Sequence, residues 1–98
     1  MPERMHVYIM TNRPRGTLYI GVTGDLINRI WQHRIHALGG FTDRYNLESL
    51  VYLEPHRAPA VAIQREKSLK RWRRNWKIAL IEKANPEWRD LWEEICSG

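Results

Sequence analysis

Two short apolar segments, His6-Val7-Tyr8-Ile9 and Leu18-Tyr19-Ile20-Gly21, decide the fold of this chain. Both segments are rich in β-formers, and Pro14 and Gly16 between them are typical of a turn. Two strands separated by so short a connection predict an antiparallel hairpin, in which alternate apolar side chains face a core. The sheet is therefore expected to begin at this hairpin.

A helix is predicted immediately after the hairpin. Asp25 is a good N-cap for a helix over residues 26–38, which Gly39-Gly40 would end. The apolar stripe of this helix consists of Leu26, Ile27, Ile30, Trp31 and Ile35. The opposite face, which is expected to be solvated, carries Arg29, His33 and His36.

The rest of the chain predicts one more strand and two further helical segments. A loop over 41–46 precedes a nearly continuous apolar run over 47–53, which is typical of a third, buried strand. A helical pattern then covers 60–84 with a break near 70–74, and a short helix covers 87–95. The predicted order of elements is therefore β-β-α-β-α-α.

Length and composition limit the class of protein. A chain of 98 residues supports one core, so we predict a single domain over residues 1–98. No apolar run approaches the roughly 20 residues needed to cross a membrane, and the N-terminus lacks a signal-peptide pattern. The single cysteine, Cys96, argues against a disulfide-stabilised scaffold or a cysteine-ligated zinc site. We expect a cytoplasmic protein without membrane association.

The chain is basic, which favours a polyanionic partner such as nucleic acid. Sixteen Lys and Arg against 11 Asp and Glu give a net charge of +5. The candidate nucleic-acid-binding residues are Arg65, Lys67, Lys70, Arg71, Arg73 and Arg74. Trp72 and Trp76 lie among them at helical spacing and suit either base stacking or a core stripe. We favour the core for the tryptophans and a DNA-backbone track for part of the charge.

A carboxylate interrupts the apolar stripe of the long helical segment. Glu66 has Ala62, Ile63 and Leu69 as neighbours at helical spacing, so its side chain is expected to point along the buried side. A salt bridge to a nearby Arg or Lys is the simpler explanation. The other is a divalent-metal site, because Mg²⁺ takes one or two carboxylates and completes its shell with water and phosphate oxygens.

Four further residues complete a candidate site. Taken one at a time, Tyr8, Tyr19, Arg29 and His33 are ordinary strand and helix residues. Together with Glu66 they supply a hydroxyl to act on water, a planar cation for phosphate and a metal ligand. The five residues could therefore form a phosphodiester-cleaving site.

The order and spacing of these residues resemble the GIY-YIG nuclease superfamily. The second family triplet is intact as Tyr19-Ile20-Gly21, whereas the first stands as His6-Val7-Tyr8, with its glycine replaced. Further matching stretches occur at 23–26, 41–45, 65–70 and 85–91. The resemblance covers nearly the whole chain. Within the superfamily, the chain resembles a small stand-alone member and is similar to the N-terminal domain of excision-repair endonucleases. It implies an α+β fold in which a three-stranded antiparallel sheet is flanked by helices.

The resemblance also implies a role for each site residue. Tyr19 would be the general base or water-activating phenol, Arg29 would hold the scissile phosphate, and Glu66 would bind a single Mg²⁺ or Mn²⁺ ion. Tyr8 and His33 would support them through hydrogen bonds. A free phenol has a pKa of about 10, so base action near neutral pH requires a nearby cation or a metal-bound water, and Arg29 and the metal could both give that help.

The family usually adds an asparagine after the metal-binding glutamate, and two positions in this chain fit. Asn85 matches the closing motif better, so we take it as the catalytic candidate, whereas Asn75 lies closer to Glu66 along the chain. His36 is either a further site residue or an ordinary solvated one.

The sequence thus predicts a metal-dependent DNA endonuclease with a role in DNA repair or recombination. DNA is the expected partner, and target specificity would be low, come from DNA structure or come from a partner protein. A non-catalytic nucleic-acid-binding module with the same fold is the alternative. A third interpretation is a structural or protein-interaction domain, for which DNA binding would be absent or insensitive to salt.

Overall fold

A three-stranded antiparallel sheet forms the middle layer of the protein. In the computed structural model, which describes residues 4–97, the strands are β1 (Met5–Thr11), β2 (Leu18–Thr23) and β3 (Ser49–His56). Their order across the sheet is β2-β1-β3, and both neighbouring pairs are antiparallel. The predicted hairpin and the predicted α+β fold are confirmed.

Within residues 4–97, five helices flank this sheet. They are α1 (Leu26–Arg34), α2 (Gly40–Arg44), α3 (Pro59–Arg71), α4 (Arg74–Ala84) and α5 (Trp92–Ser97). In the part of the chain that the structure describes, no helix combines the length and the apolar character needed to span a membrane.

Both faces of the sheet are covered, because β1 carries apolar side chains in both directions. Val7 and Ile9 pack on one face with apolar residues of α3 and α4. Tyr8 and Met10 pack on the other face with Ile30 of α1. All five side chains are fully buried. Burial of each aliphatic side chain among them contributes about 1.5–3 kcal/mol, so the central strand anchors both cores.

α1 ends at Arg34, earlier than the predicted residue 38. The backbone N–H groups of His36 and Ala37 donate to carbonyl oxygens of the last helical turn, in the pattern of a Schellman motif. His36 has the left-handed backbone angle, with φ 60°, that this motif requires. The glycines at 39 and 40 therefore begin the next helix instead of ending this one.

α1 also buries a different face from the predicted one. Ile27, Trp31 and Ile35 were expected in the core but are 49%, 49% and 51% exposed. Ile30 is fully buried as predicted, and His33, expected in solvent, is only 3% exposed. The side chain of Tyr8 explains this rotation, because its hydroxyl points towards α1 and contacts His33.

The connection between α1 and β3 is more ordered than the sequence indicated. Residues 41–46 are predicted as loop, but most of them belong to α2. β3 begins at Ser49 instead of residue 47 and continues to His56. Leu47 lies outside the strand and is fully buried in the core on the α1 side.

Backbone breaks set the helix boundaries in the C-terminal half. Trp72 and Arg73 have extended backbone angles, so α3 and α4 are separate helices and the predicted break is confirmed. The last helix begins at Trp92 instead of residue 87. Trp88 has φ 56°, which an α-helix does not accommodate. The segment before α5 is irregular and lies alongside β3, where the Leu91 N–H donates to the Leu50 carbonyl.

Candidate active site

The side chain of Tyr8 lies across the backbone of Gly21. The two residues are partners in the β1–β2 ladder, and a Cβ built on Gly21 would lie 2.4 Å from both Cζ and Oη of Tyr8. Only a residue without a side chain leaves room for the phenol ring at this place. The glycine of the Tyr19-Ile20-Gly21 triplet therefore lets the Tyr8 hydroxyl pass over the edge strand β2.

Tyr8 and His33 form a buried, neutral pair. Oη of Tyr8 lies 3.0 Å from Nε2 of His33, and both side chains are almost completely buried. Burial and the neighbouring phenol of Tyr19 raise the pKa of Tyr8 far above its usual range, although Arg29 opposes the shift. Burial, followed by the charge of Arg29, lowers the pKa of His33 to about 4. Near pH 7 the pair is held by a hydrogen bond between uncharged groups.

The second ring nitrogen of His33 is less well satisfied. Nδ1 is buried and has no hydrogen-bond partner among the described residues 4–97. An unpaired buried polar atom costs about 1–3 kcal/mol. Such atoms are rare in packed cores and call for a specific explanation, of which a functional role is one.

An open cleft of about 210 Å³ lies beside this pair. Its lining consists of Tyr19, Arg29, His33, Leu38, Gly39, Phe41 and Thr42. The ring centroid of Tyr19 is 6.3 Å from that of Tyr8 and 5.5 Å from that of His33. The structure therefore brings Tyr8, Tyr19, Arg29 and His33 to one place from β1, β2 and α1.

Glu66, the candidate metal ligand, belongs to α3 and does not line this cleft. Its side chain is 14% exposed, and Oε2 lies 3.1 Å from Nζ of Lys70, one helical turn later. The negative charge of Glu66 is also one cause of the raised pKa of Tyr8, so the carboxylate is within electrostatic reach of the phenol. The salt bridge that the sequence offered as the simpler explanation is present. It does not commit Glu66 fully, because the Lys70 side chain is 51% exposed and free to rotate away.

Glu66 fits a hard divalent cation as a single protein ligand. Mg²⁺ usually keeps several waters and is bound by one or two carboxylates together with substrate phosphates. No three His, Cys, Asp or Glu side chains within residues 4–97 gather closely enough to hold a metal ion without help. A cation at Glu66 would need further oxygen ligands from water or from a bound phosphate.

Asn85, predicted as catalytic, has its amide occupied by the protein itself. It follows α4, is 3% exposed, and donates from Nδ2 to the carbonyl oxygens of Val51 and Arg89 at 3.0 and 2.9 Å. Its Oδ1 accepts from the Arg89 N–H at 3.0 Å. No contact within residues 4–97 joins Asn85 to the cleft-lining side chains. These bonds fasten the end of α4 to β3.

We therefore expect Asn85→Ala to lower stability more than catalysis. The substitution leaves the buried carbonyl of Val51 unpaired, which costs about 1–3 kcal/mol, and removes the part-buried bonds to the backbone of Arg89. Thermal unfolding monitored by circular dichroism measures this cost, with Asn75→Ala on the exposed surface of α4 as the matched control. An unchanged melting temperature together with lost nuclease activity would instead return Asn85 to the catalytic set.

His36 joins three segments next to the cleft. Its Nδ1 contacts Asp43 of α2 and its Nε2 contacts Glu48 of the connection to β3. The hydrogen bond to Glu48, followed by that to Asp43, raises the pKa of His36 above its usual 6.5. Both ring nitrogens donate, so the ring is an imidazolium when both contacts are formed. The structure thus gives His36 a role in holding α2, which carries part of the cleft wall.

The contacts of protonated His36 are expected to stabilise α2 in a pH-dependent way. Because the folded-state pKa is raised, the contribution to stability is fully present below pH 6.5 and disappears as the pH rises through the folded pKa. In an NMR titration, the His36 ring protons should shift with a midpoint above 6.5, and α2 amides should follow the same curve. His36→Asn, which tolerates the left-handed backbone, should abolish the amide transition. A midpoint at or below 6.5 would contradict the two contacts.

Three of the six candidate nucleic-acid-binding side chains are committed to protein partners. Arg65 donates to the Glu54 carboxylate at 2.8 Å. Arg74 donates to two backbone carbonyls of the β1–β2 turn. Lys70 pairs with Glu66. These contacts reduce the predicted DNA track to fewer cations.

The remaining cations lie beside aromatic rings. Lys67 and Arg71 line a second open cleft of about 440 Å³ together with Trp72. The guanidinium carbon of Arg73 lies 5.7 Å from the ring centroid of Trp76. Trp72 packs partly buried against the core as expected, but Trp76 is 53% exposed, so its assignment to the core is wrong.

Sequence reasoning missed one wall of the first cleft. Phe41 and Thr42 of α2 line it together with Leu38 and Gly39, but the segment is predicted as loop and receives no role. The signal present in the sequence was the recurrence of aromatic residues at Phe41 and Tyr45, one helical turn apart.

A comparison with protein-family models identifies a nuclease-type catalytic domain. The sequence profile described as the GIY-YIG catalytic domain matches residues 4–79, and the chain belongs to the GIY-YIG family. The match includes Glu66 and the whole cleft but ends before Asn85. Nucleases of this family act on DNA and generally depend on a divalent metal. Neither a curated protein nor a solved structure gives a significant match.

Proposed function

We propose that this protein is a divalent-metal-dependent DNA endonuclease that hydrolyses phosphodiester bonds at the cleft beside Tyr19. The observation that carries the proposal is that Tyr19, Arg29 and His33 line one open cleft. Tyr8 lies beneath it, hydrogen-bonded to His33, and Glu66 is within electrostatic range of Tyr8. The net charge of +5 suits a polyanionic substrate. A role in DNA repair or recombination is the setting that we propose for this activity.

Each side chain has a separate task in the proposed reaction. Arg29 binds the non-bridging oxygens of the scissile phosphate, because a guanidinium matches two phosphate oxygens at once. Tyr19 faces the open cleft, orients the attacking water and takes up its proton. The water oxygen bonds to phosphorus, the bond from phosphorus to one sugar oxygen breaks, and that oxygen gains a proton from solvent water. Tyr8 and His33 hold the Tyr19 side of the cleft in place through their buried hydrogen bond.

Glu66 would hold the metal ion, for which Mg²⁺ and Mn²⁺ are the proposed identities. When bound, the ion supplies positive charge against the phosphate as negative charge develops in the transition state. Arg29 supplies the second positive charge at the cleft.

Cleavage assays with Tyr19→Phe test this proposal. A panel of supercoiled plasmid, flap, fork and junction DNAs would be incubated with Mg²⁺ or Mn²⁺ and with EDTA as the metal-free reference. We expect metal-dependent cutting of at least one substrate and a loss of about 10²–10⁴-fold in Tyr19→Phe, because general acid–base groups contribute on that scale. Tyr52→Phe removes a phenol that contacts Glu54, away from the cleft, and is the matched control.

The alternative function is a non-catalytic nucleic-acid-binding module. The Glu66–Lys70 ion pair favours this alternative, because the pair gives Glu66 a structural role. DNA binding that weakens with salt, combined with no cleavage of any substrate under either metal, would support this module and contradict the nuclease. Cleavage that persists in Tyr19→Phe would leave the nuclease standing but remove Tyr19 from its mechanism. A partner protein that supplies specificity remains part of the proposal, because protein contacts already engage Arg65, Lys70 and Arg74 of the six predicted DNA-binding cations.

A further inference from the structure

A row of aromatic rings leads from the cleft to the surface of α2. The ring centroids of Tyr19 and Phe41 are 6.4 Å apart, and those of Phe41 and Tyr45 are 4.8 Å apart. Phe41 is 49% exposed and Tyr45 is 41% exposed. Only Tyr19, the innermost ring, touches the Tyr8–His33 pair. We call Phe41 and Tyr45 the aromatic step of α2.

Core packing does not explain the aromatic step. Thr42 is the one buried residue of α2, whereas the rings of Phe41, within α2, and of Tyr45, its C-cap, are largely exposed. Exposed aromatic rings grouped in this way usually mark an interaction site. The contact of His36 with Asp43 and Glu48 fixes α2, and therefore both rings, relative to the cleft.

The charges around the step suit the backbone of a nucleic acid. The guanidinium carbon of Arg44 lies 5.8 Å from the ring centroid of Tyr45, and Arg44 makes no ion pair within residues 4–97. Arg29 lies at the other end of the row, in the cleft. A strand that binds Arg29 through one phosphate can therefore bring a base onto the aromatic step and a further phosphate towards Arg44.

We propose that the aromatic step stacks an unpaired base of the substrate strand, so that the site selects DNA with unpaired nucleotides next to the bond that is cut. A base inside a duplex has both faces covered by its neighbours, whereas an unpaired base offers a face to Phe41 or Tyr45. Stacking is tolerant of base identity, so the selection is for strand structure over sequence. The inference rests on the proposed function in that it places the bound strand in the nuclease cleft.

Binding measurements that need no cleavage test the step directly. All variants would carry Glu66→Gln and be studied in EDTA, so a failure of catalysis cannot imitate a failure of stacking. Fluorescence anisotropy would compare a labelled oligothymidylate with a hairpin duplex of equal phosphate number. We expect Phe41→Ala and Tyr45→Ala each to weaken single-strand binding by roughly 5- to 150-fold, the range for loss of one stacked base, and to weaken duplex binding far less.

Two comparisons separate stacking from general effects. Phe41→Leu keeps an apolar side chain without a π-face and should behave as Phe41→Ala, whereas Phe41→Trp should restore binding. Trp31→Ala removes a ring of equal exposure on α1, outside the row, and is the matched control. Circular dichroism confirms that each variant is folded. An oligonucleotide containing 2-aminopurine should lose fluorescence on binding only to proteins with an aromatic residue at position 41.

Three results would overturn the proposal. Equal losses for single strand and duplex would show that the step serves backbone binding alone. Unchanged single-strand binding in Phe41→Ala and Tyr45→Ala would show that neither ring contacts a base. A shift from dimer to monomer in Phe41→Ala, observed by light scattering, would assign the patch to a second copy of the chain.

Discussion

Replacing Glu66 with glutamine is expected to reduce metal-dependent cleavage by roughly 10²–10³-fold, the scale on which a single preorganised electrostatic contact acts in catalysis. Glutamine keeps the size of the side chain and removes the charge that would hold the cation. Stability should change little, because an i,i+4 ion pair with an exposed lysine contributes about 0.3–0.5 kcal/mol. Initial cleavage rates measured against metal concentration test this expectation.

Lys70→Gln distinguishes the metal role of Glu66 from its ion pair. If Glu66 only pairs with Lys70, removing either partner should have the same effect on cleavage. If Glu66 binds the cation, removing the competing ammonium should instead lower the metal concentration required for half-maximal rate. Parallel losses in Glu66→Gln and Lys70→Gln, with no change in metal dependence, would contradict the metal assignment.

Gly21→Ala is expected to destabilise the protein by about 1–3 kcal/mol, which corresponds to a drop of roughly 5–20 °C in melting temperature for a domain of this size. The new methyl group would lie 2.4 Å from the Tyr8 ring, which is fully buried and hydrogen-bonded to His33. The ring cannot move away without breaking that bond. Cleavage should therefore fall as well, even at temperatures where the variant is folded.

Gly24→Ala is the matched control for the Gly21 substitution. A Cβ at Gly24 would lie 3.3 Å from Sδ of Met5, the flexible end of a side chain. Alanine also lowers the entropy of the unfolded chain, an effect worth about 0.4–1 kcal/mol in favour of folding. We therefore expect a small change of either sign. Equal destabilisation of the two variants would show that loss of backbone freedom, and not contact with Tyr8, governs Gly21.

The strands were predictable because their signal is local. Alternation of apolar residues in 6–9 and 18–21, with Pro14 and Gly16 between them, defines the hairpin without reference to the rest of the chain. The face of α1 was not predictable in the same way. Ile30 belongs both to the predicted stripe and to the face that is buried, and the choice of face depends on His33 meeting Tyr8, 25 positions earlier in the sequence. A helical pattern does not contain that distant contact.

The candidate site likewise contains residues that the sequence predicted and contacts that it did not. Tyr8, Tyr19, Arg29 and His33 were selected by their order; in the structure the last three line one cleft and Tyr8 is hydrogen-bonded to His33 behind it. The commitment of Asn85 to the backbone of Val51 and Arg89 was not visible, because Asn85 is separated from Val51 by the whole of α3 and α4. The role of α2 was missed because a helix of five residues gives too short a period to recognise.

The irregular segment between α4 and α5 has a consequence for solubility. β3 is an outer strand of the sheet, and unpaired backbone groups along an outer strand invite pairing with another chain. Here the carbonyl of Val51 accepts from Asn85, while the N–H and carbonyl of Leu50 bond to Asp90 and Leu91. The segment therefore works as a protective cover against edge-to-edge aggregation. Shortening the protein to the end of α4 would expose the edge of β3 to pairing with other chains, although every cleft residue would still be present.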